Sequence, residues 1–239
     1  MFTAWRTLWN SLPGTCQVCG TWPSDPVCEA CTTRFRGGLE RCSACAVPLH
    51  AGASLCGACL TQPGPRALQA CAAAVDYAYP WDGLIARFKF RGEPGWAGPF
   101  AHQMLRTPRA TEWLSQCGLV VPVPLTAARL AERGYNQAWE LVKALQRRGN
   151  PDAPAMADAL VRLVETRDQH SLTREERLRN LQGVFAPHPL RVARLQGVHV
   201  LLVDDVSTTG ATLQAAAQAL VQAGAARVSA LVFARTPPR

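Results

Sequence analysis

The chain has 239 residues, enough for one good-sized domain and a small one. Hydrophobic residues make up 48% and charged residues 18%, a globular balance, and no run reaches the ~18 consecutive apolar residues of a membrane-spanning helix. The formal charge of +8 invites a polyanionic partner, nucleic acid or a phosphorylated small molecule, without choosing between them.

The first segment, 1–15, carries Trp5, Leu8, Trp9 and Leu12 at helical spacing and reads as a short helical stub docking on the body. It lacks the basic start and cleavage site of a secretory leader, which points to a cytoplasmic protein. Residues 16–62 hold eight of the ten cysteines as four C-x-x-C pairs: Cys16/Cys19, Cys28/Cys31, Cys42/Cys45 and Cys56/Cys59. A C-x-x-C knuckle turns two thiolates toward one point, and two knuckles complete a tetrahedral zinc site. The chain is therefore expected to carry one or two structural Zn²⁺ ions, in a double zinc ribbon where pairing is sequential. Sequential pairing (first knuckle with second, third with fourth) and cross-braced pairing both satisfy the spacing. Disulfides are disfavoured without a secretory leader. Each four-thiolate zinc site lowers the formal charge by two units, to about +4 for two sites. His50 lies outside the repeating spacing and reads as a loop residue. Cys71 and Cys117 read as ordinary buried thiols.

Pro and Gly in the stretch 61–65 mark a boundary, and a second domain is expected over 68–239. Ala72 to Tyr79 reads as a strand, followed by Leu84 to Phe90 with Arg87, Lys89 and Arg91. Cys117 to Val123 is a further β-like run, ended by Pro122 and Pro124. A basic loop, Arg129 to Gly134, leads into a helix capped by Asn136 and running to about Leu145. Residues 165–180 are dense in Arg and Glu, and 183–186 form a short apolar piece. Strands at 198–203 and 228–234 flank an Ala-rich helix at 211–223. Apolar strands alternating with helices argue an α/β fold, a parallel sheet with helices on both sides, with ligands at the C-terminal strand ends.

The stretch 200–213 is the most informative. An apolar run from Val198 to Val203 ends in two carboxylates, Asp204 and Asp205. A loop of small residues follows (Val206, Ser207, Thr208, Thr209, Gly210), and Ala211 and Thr212 open the helix. Backbone N–H groups and the positive end of the helix face an anion there, and Gly210 permits close approach and a positive φ. Two carboxylates can accept hydrogen bonds from a sugar diol or hold Mg²⁺ through water. The site suits a phosphorylated ribose. It has neither the Gly-Lys-Ser/Thr of a Walker loop nor G-x-G-x-x-G.

This stretch resembles the 5-phosphoribosyl-1-pyrophosphate (PRPP) loop of type I phosphoribosyltransferases. Three wider blocks resemble the ComF family (competence protein F, with the related GntX proteins). These are Val121-Pro-Val-Pro-Leu125 with Arg129 and Arg133-Gly-Tyr-Asn-Gln137; Thr166, Gln169, Leu172, Arg177, Asn180 and Phe185; and the acid pair with its Thr-Thr-Gly-x-Thr loop. Phe88-Lys-Phe-Arg-Gly92 is similar to that family's Lys-Phe-x-Gly element. Two departures are Tyr135, where the family commonly has Phe, and Arg167-Asp168, where it is Pro-rich.

The resemblance implies a type I phosphoribosyltransferase fold behind a zinc ribbon, binding PRPP with Mg²⁺. Asp204 and Asp205 would hold the ribose hydroxyls and help place Mg²⁺, and residues from Val206 to Thr212 would hold the 5-phosphate. Lys89, Arg129 and Arg133 would serve the pyrophosphate, and Arg174 and Arg177 a hood over the site. It also implies a role in natural transformation, on single-stranded DNA in the cytoplasm and beside competence-machinery proteins. Two readings differ in chemistry. An enzyme would transfer the phosphoribosyl group to a nucleophile, as in nucleotide salvage, whereas a binding module would sense PRPP and signal through DNA or protein contact. No base-recognition motif decides between them. Tyr135, Trp139 and Trp81 are stacking candidates whose commoner role is core packing.

Overall fold

The apolar runs pair edge to edge. In the computed structural model, which describes residues 14–37, 40–49, 52–163 and 183–237, β1 (Ala70–Asp76), β2 (Leu119–Pro122), β5 (His199–Ser207) and β6 (Arg227–Arg235) form one parallel sheet in the order β1-β6-β5-β2. A two-stranded antiparallel ribbon, β3 (Leu160–Arg162) with β4 (Phe185–Pro187), stands beside it. The stub at 1–13, His50 and the segment 164–182, with Arg174 and Arg177, lie outside the described residues.

The two central strands are buried almost throughout and read as continuous Val/Leu/Ala runs, as a doubly covered parallel sheet requires. The pleat divides them. Val200, Leu202, Val228, Ala230 and Val232 share a core with Leu213, Ala216, Ala217 and Leu220 of α8 (Ala211–Gln222). On the other face, Phe233 meets Trp81 edge-on at 5.6 Å and stacks on Phe100 at 3.9 Å. Trp81 opens α3 (Trp81–Phe90), and Phe100 lies in α4 (Ala97–Leu105), which packs on α5 (Ala110–Gln116) and α7 (Gln137–Arg148). Trp81 is therefore a core residue, 1% exposed, and is closed to stacking on a ligand. Asn136 caps α7 as expected: its Oδ1 accepts from the N–H of Ala138 at 2.9 Å, while its Nδ2 donates to Val123 at 3.1 Å.

One strand is longer than its sequence pattern. Ladder pairing carries β5 past Val203, through both carboxylates, to Ser207, because β6 continues alongside it to Arg235. The N–H of Thr236 closes the ladder on the Ser207 carbonyl at 3.0 Å.

Backbone contacts divide the chain into two compact units, Met1–Gly37 and Gly38–Arg239. The larger unit takes in the second pair of cysteine knuckles, which the sequence had grouped with the first. In the smaller unit, Cys28 caps α1 (Glu29–Phe35) and an antiparallel bridge joins Gly14 to Ser24. In the larger, α2 (Gly57–Leu60) follows Cys56, and a bridge joins Arg41 to Pro48. Among the described residues, no helix is long and apolar enough to cross a membrane.

Candidate functional site

Adjacent residues of a strand leave on opposite faces. Asp204 and Asp205 therefore start from opposite sides of the pleat, yet their carboxyls still interact directly. Asp205 shares the side of Phe233 and α3, is 5% exposed, and pairs through Oδ1 with the Lys89 ammonium at 2.9 Å. Asp204 is half-buried, and its Oδ1 accepts the N–H of Asp205 at 2.8 Å. Burial, with the charge of Asp205, pushes the Asp204 carboxyl up to about 8. A carboxyl so raised gains from a cation or a donor brought to it.

The loop beyond is built for an anion. Gly210 has φ +84° and precedes the twelve-residue helix α8, which has no acidic residue in its first turn. The Thr209 hydroxyl accepts the N–H of Ala211 at 3.3 Å. The Ser207 hydroxyl is buried and has no hydrogen-bond partner among the described residues. A Cβ added at Gly210 would lie 4.0 Å from that hydroxyl, so the orphaned group sits against the glycine. A buried unpaired hydroxyl is costly, and a ligand oxygen would satisfy it.

Neighbouring elements bring the basic residues. β2 pairs with β5, so the turn after β2 emerges beside the loop. It leads into α6 (Ala127–Arg133), a helix where the sequence suggested a basic loop, because Thr126 caps it by accepting the Arg129 N–H at 3.3 Å. The Arg133 guanidinium stands 5.1 Å over the exposed Phe90 ring and donates to Gln137 Oε1 at 3.1 Å. The Tyr135 hydroxyl donates to the Phe88 carbonyl, fastening the end of α3, and hence Lys89, to the α6–α7 turn. Trp139 is half-buried on α7.

Arg235, which the sequence reading passed over, also reaches this loop. It is only 5% exposed and holds the carbonyls of Ser207, at 3.1 Å, and Thr208. Its one sequence signal is a charge directly after the apolar run 230–234.

The cysteines gather by sequential pairing, Cys16, Cys19, Cys28 and Cys31 in one cluster and Cys42, Cys45, Cys56 and Cys59 in the other. Within each cluster the sulfurs lie within 4.8 Å of one another. Four sulfurs at ~2.3 Å from one zinc stand about 3.8 Å apart. The pairs Cys19–Cys28 and Cys45–Cys56 are 3.7 Å apart. Burial raises the Cys16 and Cys42 thiols, yet surrounding backbone N–H groups outweigh it and bring them down to about 6 and about 7. Burial pushes Cys31 up to about 12 and Cys45 up to about 11. Such a set holds four thiolates together only around a cation, so both clusters fit zinc.

Parallel sheet, acid pair, small-residue loop and helix start define a phosphoribosyltransferase-type domain. The family model for the phosphoribosyl transferase domain matches residues 125–239. DNA utilization protein YhgH of Escherichia coli K12 is 32% identical over 235 residues, 95% of this chain and 99% of its own. Competence protein F of Haemophilus influenzae is 33% identical over 165 residues, 66% of this chain and 69% of its own. Competence protein ComFC of Bacillus subtilis is 32% identical over 153 residues, 64% and 58%. The chain belongs to the ComF family.

Proposed function

We propose that this protein binds PRPP with Mg²⁺ at the C-terminal ends of β5 and β2, and that it serves the use of incoming DNA in the cytoplasm. The observation that carries the binding reading is the loop itself. An orphaned buried hydroxyl, a left-handed glycine and an acid-free helix start lie directly after two carboxylates. The 5-phosphate suits Ser207 to Thr212. The ribose diol suits Asp204 first, because Asp205 already holds Lys89. Mg²⁺ would be held by the acid pair and would draw charge from the pyrophosphate. Release of Lys89 from Asp205 would free a cation for that leaving group, with Arg129 and Arg133 on the neighbouring helix α6.

The reaction class this arrangement supports is pentosyl transfer. The bond from C1 to the pyrophosphate oxygen breaks with its electrons, and a nucleophile forms the new bond to C1 and loses its proton. The DNA role is supported by the relatives' names, DNA utilization and competence, over a role in nucleotide salvage. Zinc in both cysteine clusters is structural in this reading, since protein fills every ligand position.

Titration of PRPP with Mg²⁺ into the zinc-replete protein and into Asp204→Asn/Asp205→Asn tests the reading. Saturable binding by wild type and its loss in the double variant are expected. A folded wild type that does not bind would refute it. Pyrophosphate release from PRPP in the presence of single-stranded DNA then separates transfer from sensing.

A further inference from the structure

Arg235 is a buried cation whose acceptors belong to two different structures. Its Nε donates to the Cys45 carbonyl at 3.0 Å. Its Nη1 donates to the carbonyls of Ser207, at 3.1 Å, Thr208, and Thr236, at 3.0 Å. Cys45 is a member of the second cysteine cluster, and Ser207 and Thr208 open the loop read above as the phosphate site. A single side chain thus spans from a metal-ligating residue to the anion loop.

The span is reinforced on both sides. Arg41, just before Cys42, pairs with Asp76 at 2.8 Å and donates to the Ala46 carbonyl at 3.2 Å. Asp76 and Ser207 are the ladder partners of Arg235 in β1 and β5. The Cys71 N–H donates to Ser43 at 3.0 Å, and Ala46, fully buried, joins the core that α8 shares with the sheet. The knuckle is therefore bonded to the sheet at several points, and Arg235 carries it to the loop.

The bonds bear on anion binding in a definite way. A peptide's C=O and N–H point in opposite directions. Holding the Ser207 and Thr208 carbonyls on Arg235 turns the following N–H groups, of Thr208 and Thr209, away from it. Carbonyls left free to face an anion would repel it. The guanidinium also places a full positive charge behind the loop without occupying it. If the Cys42/Cys45 knuckle loosens, Nε loses its acceptor and the guanidinium its anchor.

We propose that Arg235 is a positioning residue that couples metal occupancy at Cys42, Cys45, Cys56 and Cys59 to anion affinity at the 207–212 loop. The second cluster is then part of the phosphate-binding apparatus. This inference rests on the PRPP reading above. Coupling is reciprocal: PRPP must tighten zinc at one cluster by the factor by which that zinc tightens PRPP.

The test is competition for zinc between the full-length protein and a zinc-selective chelator, with and without saturating PRPP and Mg²⁺, in wild type and Arg235→Gln. In wild type, PRPP is expected to raise the zinc affinity of one of two equivalents by about fivefold or more. In Arg235→Gln that increment disappears, and PRPP binds at least as many-fold more weakly. Arg235→Lys keeps the charge but not the two-sided fork, and is expected to behave like Arg235→Gln. Wild type that binds PRPP while both zinc affinities stay unchanged overturns the coupling alone, as does an increment that survives in Arg235→Gln. Wild type that does not bind PRPP overturns the PRPP reading and the coupling with it. The wild-type comparison stands if either variant fails to fold.

Discussion

Asp204 and Asp205 are identical neighbours in the sequence, and the pleat of β5 gives them different chemistry. Asp205 carries its charge against Lys89, whereas burial and the charge of Asp205 hold the Asp204 carboxyl up to about 8. An unfolded-chain aspartate titrates near ~3.9. Between those values the folded protein holds a proton that the unfolded chain has lost, so Asp204 costs stability as pH rises through that window. Binding a sugar hydroxyl to the carboxylate releases the same proton. PRPP affinity should therefore rise by up to about tenfold per pH unit below about 8 and then level off. Dissociation constants at pH 6.5 and 8.5 check this, with Asp204→Asn as the control for titration of PRPP itself, and equal slopes in the two proteins would refute it. Gly210 carries a second prediction. Its φ of +84° costs an L-residue roughly 1–2 kcal/mol, while a methyl there meets nothing closer than the Ser207 hydroxyl at 4.0 Å. Gly210→Ala should then weaken PRPP binding by roughly tenfold through backbone geometry rather than a clash, and a variant binding as tightly as wild type would show that the left-handed turn is not needed.

At the scale of elements, the turn between α6 and α7 is held largely by Asn136, which caps α7 with one side-chain atom and ties down Val123 with the other. Asn136→Ala should cost about 1 kcal/mol for the cap and more for the freed Val123 carbonyl. Asn136→Asp keeps the cap acceptor and loses only the second bond, so it should fall between wild type and Ala in urea unfolding. An Asp variant no better than Ala would assign the stability to Val123. This turn was legible in the sequence because capping is local: an Asn, a few residues and a periodic apolar face suffice. The phosphate loop was legible for the same reason, since strand, acids, small residues and helix follow one another within a dozen positions. The cysteine grouping was not, because two pairings satisfy the same spacing and only three-dimensional closure selects one. The extension of β5 through its carboxylates depends on β6, which lies twenty residues further on. Arg235 was invisible for a stronger reason. It meets Cys45 across 190 positions, and its role exists only once the β6 ladder has set it beside Ser207.

For the whole molecule, the division at Gly37/Gly38 assigns the two cysteine clusters different consequences. The first lies in the smaller unit. The second packs its own small core, but Ala46 beside it joins the core of the sheet that carries the anion loop, and several hydrogen bonds tie its knuckle to that sheet. Metal-linked folding energy stays largely within the compact unit that contains the ligands. Replacing Cys16 and Cys19 by Ser should therefore remove one zinc equivalent and leave PRPP affinity within about twofold of wild type. Replacing Cys56, whose N–H also donates to Cys42 Sγ at 3.4 Å, removes the other equivalent. It should lower the thermal midpoint of the larger unit and weaken PRPP binding together. The two effects have one cause, because the groups that lose their anchor, Cys45 and through it Arg235, serve both the core edge and the loop. Zinc content, calorimetric unfolding and PRPP titration on the same two preparations decide the matter. Equal loss of PRPP affinity in both variants would mean that the units act as one, and no loss in the Cys56→Ser protein would detach the second cluster from the site.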